Sequence, residues 1–407
     1  MLGASDLLIM ELKNHSYWKN VGLIKKRTSL IKLYLAKQYS KFIPNSKVIA
    51  VSGQLGKTTT AVCLQAVLDQ KFKTLTSPFT NSATTSLQKL LSFASTLLKS
   101  RPGDQKIIVE IGVDEMTGPD NYFELVKPNI IVITEMSSIK DKYGALNEEH
   151  FNEYVKLLDP LSNQDLAILN WEDNLARRLG EKTNANVIYF GFDSKNSHVW
   201  AGKMKITDFH TVFELNYGVE RVEVRSKLLG FHQIYSMLAA ASVGLNFGLS
   251  LINIKKGLES ISPLPNRMQL MPGYNNALIL NDTYNGVPLA VEEALDVLNQ
   301  LPARRRIVVL GEMSSEGDNS EALHRELARR LYKDKVDLVL LGTGDARFVG
   351  EELISLGFIQ ERMLTNLQNP QIVSNLLKIL AKGDLVLVKG APSLRLDEVV
   401  KKITRDK

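Results

Sequence analysis

The sequence predicts an α/β protein with two domains, each built on a mostly parallel sheet. Its 407 residues are more than one ordinary hydrophobic core accommodates. Two series of Val- and Ile-rich runs alternate with helix-patterned segments, and the proline-rich stretch SPLPNRMQLMPGY separates the two series. Runs with so little polar alternation are typical of strands in a parallel sheet that is covered on both faces. The first run also ends in a glycine-flanked turn before a helix, which indicates a phosphate-binding loop.

The first of these domains, with the phosphate loop, is predicted to span residues 48–267. Its strands are the runs KVIAVSG, KIIVEIG, NIIVITE, DLAILNWED and ANVIYFGFD. Residues 198–228 alternate polar and apolar side chains and are rich in β-branched residues, which predicts a small antiparallel meander. The alanine-rich stretch HQIYSMLAAASVGLNFGLS that follows predicts a buried helix.

The second domain, residues 268–407, is predicted to be a Rossmann-like α/β domain. Its strands are the runs ALILNDTYN, RRIVVLGEM, VDLVLLGTG and GDLVLVKGA. Amphipathic helices lie between them, because segments such as EALHRELARRLYK place their leucines on one face.

A basic and mainly helical segment, residues 1–47, precedes both domains. Residues 1–48 contain nine Lys and Arg against two acids, whereas the whole chain has a net charge of +6. The rest of the chain is therefore not basic, and no nucleic-acid partner is expected. The segment could touch a membrane surface, but we favour a solvated helix face that packs on the next domain. The apolar side chains available for that packing are Leu30, Ile31, Leu33, Leu35 and Ile43.

Several features of the sequence indicate a cytoplasmic protein. No apolar run approaches the roughly 20 residues that span a bilayer, and the N-terminus lacks the basic region of a signal peptide. The single cysteine, Cys63, fits a reducing compartment and a place in the core.

The turn SGQLGKTTT carries the clearest chemical signal. Backbone N–H groups from Gly53, Gly56 and the first turn of the helix would surround phosphate oxygens. Lys57 supplies positive charge for the outer phosphates, and Thr58, with Thr59 beside it, offers a hydroxyl to Mg²⁺. Only two residues separate the glycines, where the usual phosphate loop has four. The turn therefore predicts nucleotide binding by an uncommon loop.

This loop and the segments after it resemble the Mur ligase superfamily, whose members carry GxxGKT[ST]. IIVEIGVDEMTG is similar to the family strand in which a glutamate holds Mg²⁺, which assigns that role to Glu110. A carboxylate at a strand end facing the loop also suits a hard cation on physical grounds. LAILNWEDN resembles another family strand end, with Asn170 and Asp173 at the matching positions. The resemblance implies ATP and Mg²⁺ as cofactors.

In the same family a helix contributes a lysine that becomes carbamylated and binds metal. The matching segment, EEHFNEYVKLLDPL, makes Lys156 the candidate, and an ordinary solvated lysine is the alternative. A family histidine that binds metal after the preceding strand has no counterpart in TEMSSIKDKYG. Either the second metal site is altered, or His150 replaces that histidine.

Two further segments resemble nucleotide-contacting parts of the family. LLGFHQIYSMLAAASVG is similar to a helix start that approaches adenine, which makes His232 and Gln233 candidates. PNRMQL resembles the linker between the domains. The resemblance implies that Arg267 meets the ATP phosphates when the domains close.

The second domain is most similar to the D-alanyl-D-alanine-adding branch of the family. LNDTYNGVPLAVEEAL resembles its DDSYNANP signature, which implies that Asp282 and Asn285 face the nucleotide. The chain departs from the signatures of this branch at three positions, Val287, Glu312 and Pro392. Arg395 stands three positions after the arginine that Pro392 replaces.

About 48 residues precede the phosphate-loop strand, which is too few for the separate uridine-binding domain of that branch. A partner protein that supplies substrate binding is therefore a possibility that the sequence leaves open.

The resemblance implies an ATP-dependent amide ligase that acts through an acyl phosphate on a small-molecule carboxylate and an amine. The residues that it implicates in catalysis are Lys57, Lys156, Arg267 and Asp282. The favoured substrate is a peptidoglycan precursor. Two alternatives stay open: a Mur-type ligase for a folate or a polypeptide, and a nucleotide-binding scaffold whose activity has decayed.

Overall fold

A computed structural model describes residues 23–43, 48–77, 86–101, 106–113, 122–136, 147–314 and 319–405. Much of the basic N-terminal segment lies outside these residues, as does most of TEMSSIKDKYG. The described residues form two sheets, one from each series of apolar runs. The α/β class, with a parallel-sheet domain followed by a Rossmann-like one, is confirmed. The boundaries at 47/48 and 267/268 stay predictions.

The first sheet has nine strands in the order β2-β3-β1-β4-β5-β6-β7-β8-β9. Neighbouring strands from β2 to β7 are parallel, and β7, β8 and β9 form the antiparallel meander expected for residues 198–228. The chain order reverses at β1, whose neighbours are β3 and β4, and ligands bind at such reversals in open α/β sheets. The strands are β1 (Val48–Ser52), β2 (Thr74–Thr76), β3 (Lys106–Glu110), β4 (Ile130–Ile133), β5 (Leu166–Asn170), β6 (Asn186–Gly191), β7 (Val199–Thr207), β8 (His210–Tyr217) and β9 (Glu220–Ser226).

Helices cover both faces of this sheet. They are α1 (Leu23–Ser40), α2 (Lys57–Leu68), α3 (Ser86–Lys99), α4 (Glu148–Leu158), α5 (Asn174–Gly180), α6 (His232–Asn246) and α7 (Leu251–Glu259). Helices α2, α6 and α7 share one hydrophobic core, which includes the predicted alanine-rich helix and Cys63. Burial raises the pKa of the Cys63 thiol, so this residue acts as a small apolar side chain.

The second sheet has six strands in the order β10-β11-β15-β12-β13-β14. β10 is antiparallel to β11, and the remaining neighbours are parallel. The strands are β10 (Gln269–Pro272), β11 (Leu278–Asn281), β12 (Arg305–Leu310), β13 (Leu338–Gly342), β14 (Met363–Leu367) and β15 (Asp384–Lys389). The helices are α8 (Pro288–Gln300), α9 (Ser320–Lys333), α10 (Arg347–Ser355), α11 (Asn369–Ile379) and α12 (Leu396–Ile403).

Helix α1 packs on the first domain as expected for the basic segment, but with fewer of its apolar side chains. Leu30, Leu33 and Ile43 are buried in the core that α1 shares with α3. Ile31 and Leu35 are 49% and 50% exposed, because the helical period turns them away from that core. Among the described residues, no helix is both long and apolar enough to cross a membrane.

The packing of α7 on α2 leads to a stability prediction. A methyl group at Gly257 would lie 2.6 Å from the Ala66 carbonyl oxygen and 2.7 Å from the Val67 Cα. We expect Gly257→Ala to separate these helices and to lower the free energy of unfolding by about 1–3 kcal/mol, measured by urea denaturation. Ile252→Ala, at a 55% exposed position of the same helix, is the control and should change it by less than about 0.5 kcal/mol. Equal effects of the two substitutions would contradict the close packing.

Candidate active site

A cavity of about 560 Å³ lies between the two domains, at the carboxyl ends of β4, β5 and β11. Both domains contribute to its wall. Of the residues predicted to bind nucleotide, it is lined by Gly56, Thr59, Asn170, His232, Gln233, Arg267, Asp282 and Asn285. The structure thus brings together side chains that are more than 200 residues apart in the sequence.

The phosphate loop has the backbone shape that its glycines predict. Gly53 has φ +129°, and a Cβ there would lie 2.1 Å from the Thr134 hydroxyl oxygen. Gly56 has φ +82° and is the N-cap of α2, which begins at Lys57. The end of β4 holds the loop: Gln54 N donates to the Glu135 carbonyl at 2.7 Å, and the Thr134 hydroxyl donates to the Leu55 carbonyl at 2.5 Å. A side chain at position 53 would therefore disrupt the loop.

The phosphate loop is accompanied by three polar side chains, those of Lys57, Thr58 and Glu110. The Lys57 ammonium donates to the Gly53 and Gln54 carbonyls at 2.5 and 3.0 Å, which places its charge beside the loop. The Thr58 hydroxyl donates to Glu110 Oε2 at 3.2 Å, and Glu110 is buried at the end of β3. A hydroxyl and a carboxylate oxygen fit Mg²⁺, which binds one or two such groups and completes its shell with water and phosphate oxygens. Among the described residues, there is no cluster of three or more His, Cys, Asp and Glu that would enclose a metal.

Arg267 and Tyr284 connect the second domain to the phosphate loop. The Arg267 guanidinium carbon lies 3.3 Å from the centre of the Tyr284 ring, which is a cation–π contact. Burial lowers the pKa of Arg267, and Tyr284, Glu110 and Asp282 oppose that shift. Burial raises the pKa of Tyr284, and the Arg267 charge and the Thr58 side chain oppose that rise. A tyrosine from the second domain therefore lies close to the threonine that is predicted to bind Mg²⁺.

The Asp282 carboxylate is fixed by hydrogen bonds from neighbouring residues of the protein. Its Oδ1 accepts from Met268 N at 2.9 Å, and its Oδ2 accepts from Lys389 Nζ at 2.5 Å. Lys389 is only 1% exposed and also donates to the Asn285 carbonyl at 3.0 Å. Asp282 thus fixes the turn that follows Arg267. The sequence analysis missed Lys389, although a lysine in the apolar strand GDLVLVKGA is a signal that could have identified it.

Further polar side chains from both domains line the cavity. The Asn170 side-chain oxygen accepts from Glu172 N at 3.1 Å, and the Gln233 amide nitrogen lies 2.7 Å from His232 Nε2. Glu293, on α8 of the second domain, faces the same space, and burial raises its pKa although His232 opposes the rise. Glu293 is a further residue that the sequence analysis did not select.

The structure does not bring Lys156 to the other predicted metal ligands. Its ammonium pairs with Glu153 at 2.6 Å on α4, and its side chain is 53% exposed. Phe151 and Tyr154, on the other face of that helix, are buried instead. Lys156 points away from the buried Tyr154, because two residues along a helix rotate a side chain by about 200°. Its predicted role as a metal ligand stays a prediction. Arg395 is likewise exposed, at 71%, and pairs with Glu398.

The fold and the site define a two-domain enzyme with a phosphate loop in the cleft between its domains. Two family models match the chain, the Mur ligase middle domain over residues 51–244 and the Mur ligase glutamate ligase domain over residues 266–392. The chain belongs to the Mur ligase family, whose members are ATP-dependent ligases that join a carboxylic acid to an amine.

Individual relatives agree with the family assignment. The UDP-N-acetylmuramoyl-tripeptide–D-alanyl-D-alanine ligase of Haemophilus influenzae is 27% identical over 387 residues, which cover 93% of this chain and 81% of that protein. MurF from Acinetobacter baumannii has a similar structure, with a TM-score of 0.78 at 21% identity over 92% of this chain and 80% of that one. The MurF ligase from Thermotoga maritima in complex with ADP has a TM-score of 0.76 at 19% identity, over 92% and 83%. The predicted similarity to the D-alanyl-D-alanine-adding ligases is confirmed.

The raised pKa of Glu293 predicts a pH-dependent change in stability. Because its pKa is higher in the folded protein, the neutral carboxyl favours folding below the ordinary glutamate pKa of about 4.3, and this contribution is lost as pH rises through the folded value. Glu293→Gln stays neutral, so its Tm should exceed that of the unaltered protein at about pH 7 and equal it near pH 4. Glu361→Gln, at an exposed position, is the control. A Tm difference that does not vary with pH would contradict the assignment.

Proposed function

We propose that this protein uses ATP and Mg²⁺ to join an amino acid or dipeptide to a carboxylated peptidoglycan precursor, in the manner of MurF. The relatives of similar sequence carry the name of that reaction, and they align over most of their own length. A cytoplasmic location is part of the proposal, since nucleotide-linked precursors and ATP are available there.

The observation that carries the proposal is the joint position of four residues at the domain junction. Thr58 and Glu110 on one side meet Arg267 and Tyr284 on the other. A carboxylate does not condense with an amine in water, because its oxygen is a poor leaving group. An enzyme that activates it needs phosphate-binding groups in a site from which water is excluded, and a junction between two domains provides that on closure.

In the first step a carboxylate oxygen of the substrate attacks the γ-phosphorus of ATP, and the bond to ADP breaks. Lys57 and Arg267 neutralise the charge on the transferring phosphoryl group. Thr58 and Glu110 would hold Mg²⁺, which would supply Lewis-acid stabilisation of the phosphate oxygens.

In the second step the amine nitrogen attacks the acyl carbon of the acyl phosphate, the bond between that carbon and the phosphate oxygen breaks, and the amine releases a proton. Asp282 is a positioning residue, because its carboxylate holds the backbone next to Arg267. Asn170, His232, Gln233 and Asn285 bind the remainder of the nucleotide from the cavity wall. Lys156 has no place in this scheme.

A direct ligase assay tests the proposal. Purified protein is given ATP, Mg²⁺, UDP-MurNAc-tripeptide and D-alanyl-D-alanine, and phosphate release and product mass are followed. We expect one phosphate and one ADP for each amide bond formed. Turnover only with another pair, such as a folate and glutamate, would refute the precursor while retaining the ligase. ATP-analogue binding without turnover on any pair would favour the scaffold.

Arg267 provides a prediction on catalysis. We expect Arg267→Ala to lower kcat by about 100-fold, because one charge donor to the transferring group is lost, while the affinity for ATP changes much less. The measurement is steady-state kinetics with whichever substrate pair is active. Arg395→Ala, which removes an exposed arginine of the second domain, should leave kcat unchanged. Equal losses in the two variants would contradict the role of Arg267.

A further inference from the structure

Three side chains form a polar bridge between the phosphate loop and helix α4. The Gln54 amide nitrogen lies 3.2 Å from the Tyr154 hydroxyl oxygen and 3.0 Å from His150 Nε2. The rings of His150 and Tyr154 are stacked, with 5.6 Å between their centres and 27° between their planes. Gln54 stands between the two loop glycines, so this bridge acts on the loop itself.

The bridge also reaches the strand that leads into the loop. Ser52, the last residue of β1, opposes the rise in the pKa of Tyr154, and its hydroxyl donates to the Ile111 carbonyl at 3.0 Å. On the other side, the carbonyl of Gln54 accepts from the Lys57 ammonium. The phenol of Tyr154 is therefore linked to Lys57 through one residue of the loop.

Tyr154 lies on the buried side of α4. It is fully buried, and burial raises the pKa of its phenol, so the group stays neutral and can take part in hydrogen bonds. Nε2 of His150 faces the Gln54 amide and also lies 3.2 Å from the Val113 carbonyl oxygen. The inner face of α4 thus presents hydrogen-bonding groups to the loop.

We propose that Gln54, His150 and Tyr154 hold the phosphate loop in its nucleotide-binding shape. This inference rests on the proposed use of ATP. The three are positioning residues, since they act on the nucleotide through the loop.

Binding of a non-hydrolysable ATP analogue with Mg²⁺, measured by calorimetry, tests the bridge without requiring the ligase substrates. Tyr154→Phe removes one hydroxyl and keeps the ring. We expect about tenfold weaker binding, because a buried amide loses a partner and the loop loses its shape. Gln54→Leu should weaken binding to a similar degree, and Gln54→Asn less than Gln54→Leu.

Tyr39→Phe is the matched control, since it also removes a tyrosine hydroxyl with a hydrogen bond, here donated to the Ser100 carbonyl at 2.7 Å, but in a different part of the domain. It should bind the analogue as the unaltered protein does, with a similar loss of Tm. Equal affinity of Tyr154→Phe and the unaltered protein would overturn the bridge alone. No binding by the unaltered protein would overturn the proposed function and the bridge together.

Discussion

The contact between Arg267 and Tyr284, close to Thr58, is the interaction on which the rest of the site depends. Thr58 belongs to the first turn of α2, so its position follows from the loop and from the helices packed around it. Tyr284 and Arg267 belong to the end of β11 and to the turn before β10, and Asp282 and Lys389 fix both segments. The two domains, each with its own hydrophobic core, therefore come together at the Tyr284 ring and the Thr58 side chain. The cost of burying Arg267 is offset there by the ring and by the carboxylates of Glu110 and Asp282.

The phosphate loop is likewise held in place by contacts from two different elements, β4 and α4. Gly53 lies against Thr134 with no room for a side chain, and Glu135 and Thr134 hold the loop backbone from β4. Gln54 is fixed on its other side by α4. The N–H groups of the loop are thus oriented before any ligand arrives, and pre-orientation lowers the cost of binding.

Much of the fold could be predicted from the sequence, because its signals are local. Apolar runs without polar alternation identified the parallel strands, and the glycines flanking Gln54 and Leu55 identified the loop. Glu110, at the end of β3, could be predicted because strand ends of a parallel sheet meet at one edge. The side chain of Lys156 could not be placed from the similarity of its segment alone, because that similarity does not fix which side of the helix faces the site. The pattern of buried residues on α4, Phe151, Tyr154 and Leu158, would have shown that Lys156 faces solvent. Lys389 and Glu293 are harder to select for a different reason, since Asp282, which pairs with Lys389, and His232, which acts on Glu293, each lie more than 50 residues away in the sequence.

Burial of Lys389 has a consequence for chemical labelling of this protein. Its amine is enclosed by the Asp282 carboxylate and by the carbonyl groups of Asp282 and Asn285 after β11, and it is 1% exposed. Reagents that acylate lysines modify the exposed amines of the surface first. They modify Lys389 only when the structure around it in the second domain opens locally. The rate at which Lys389 is modified therefore reports how often that domain opens, in a molecule that carries no added probe.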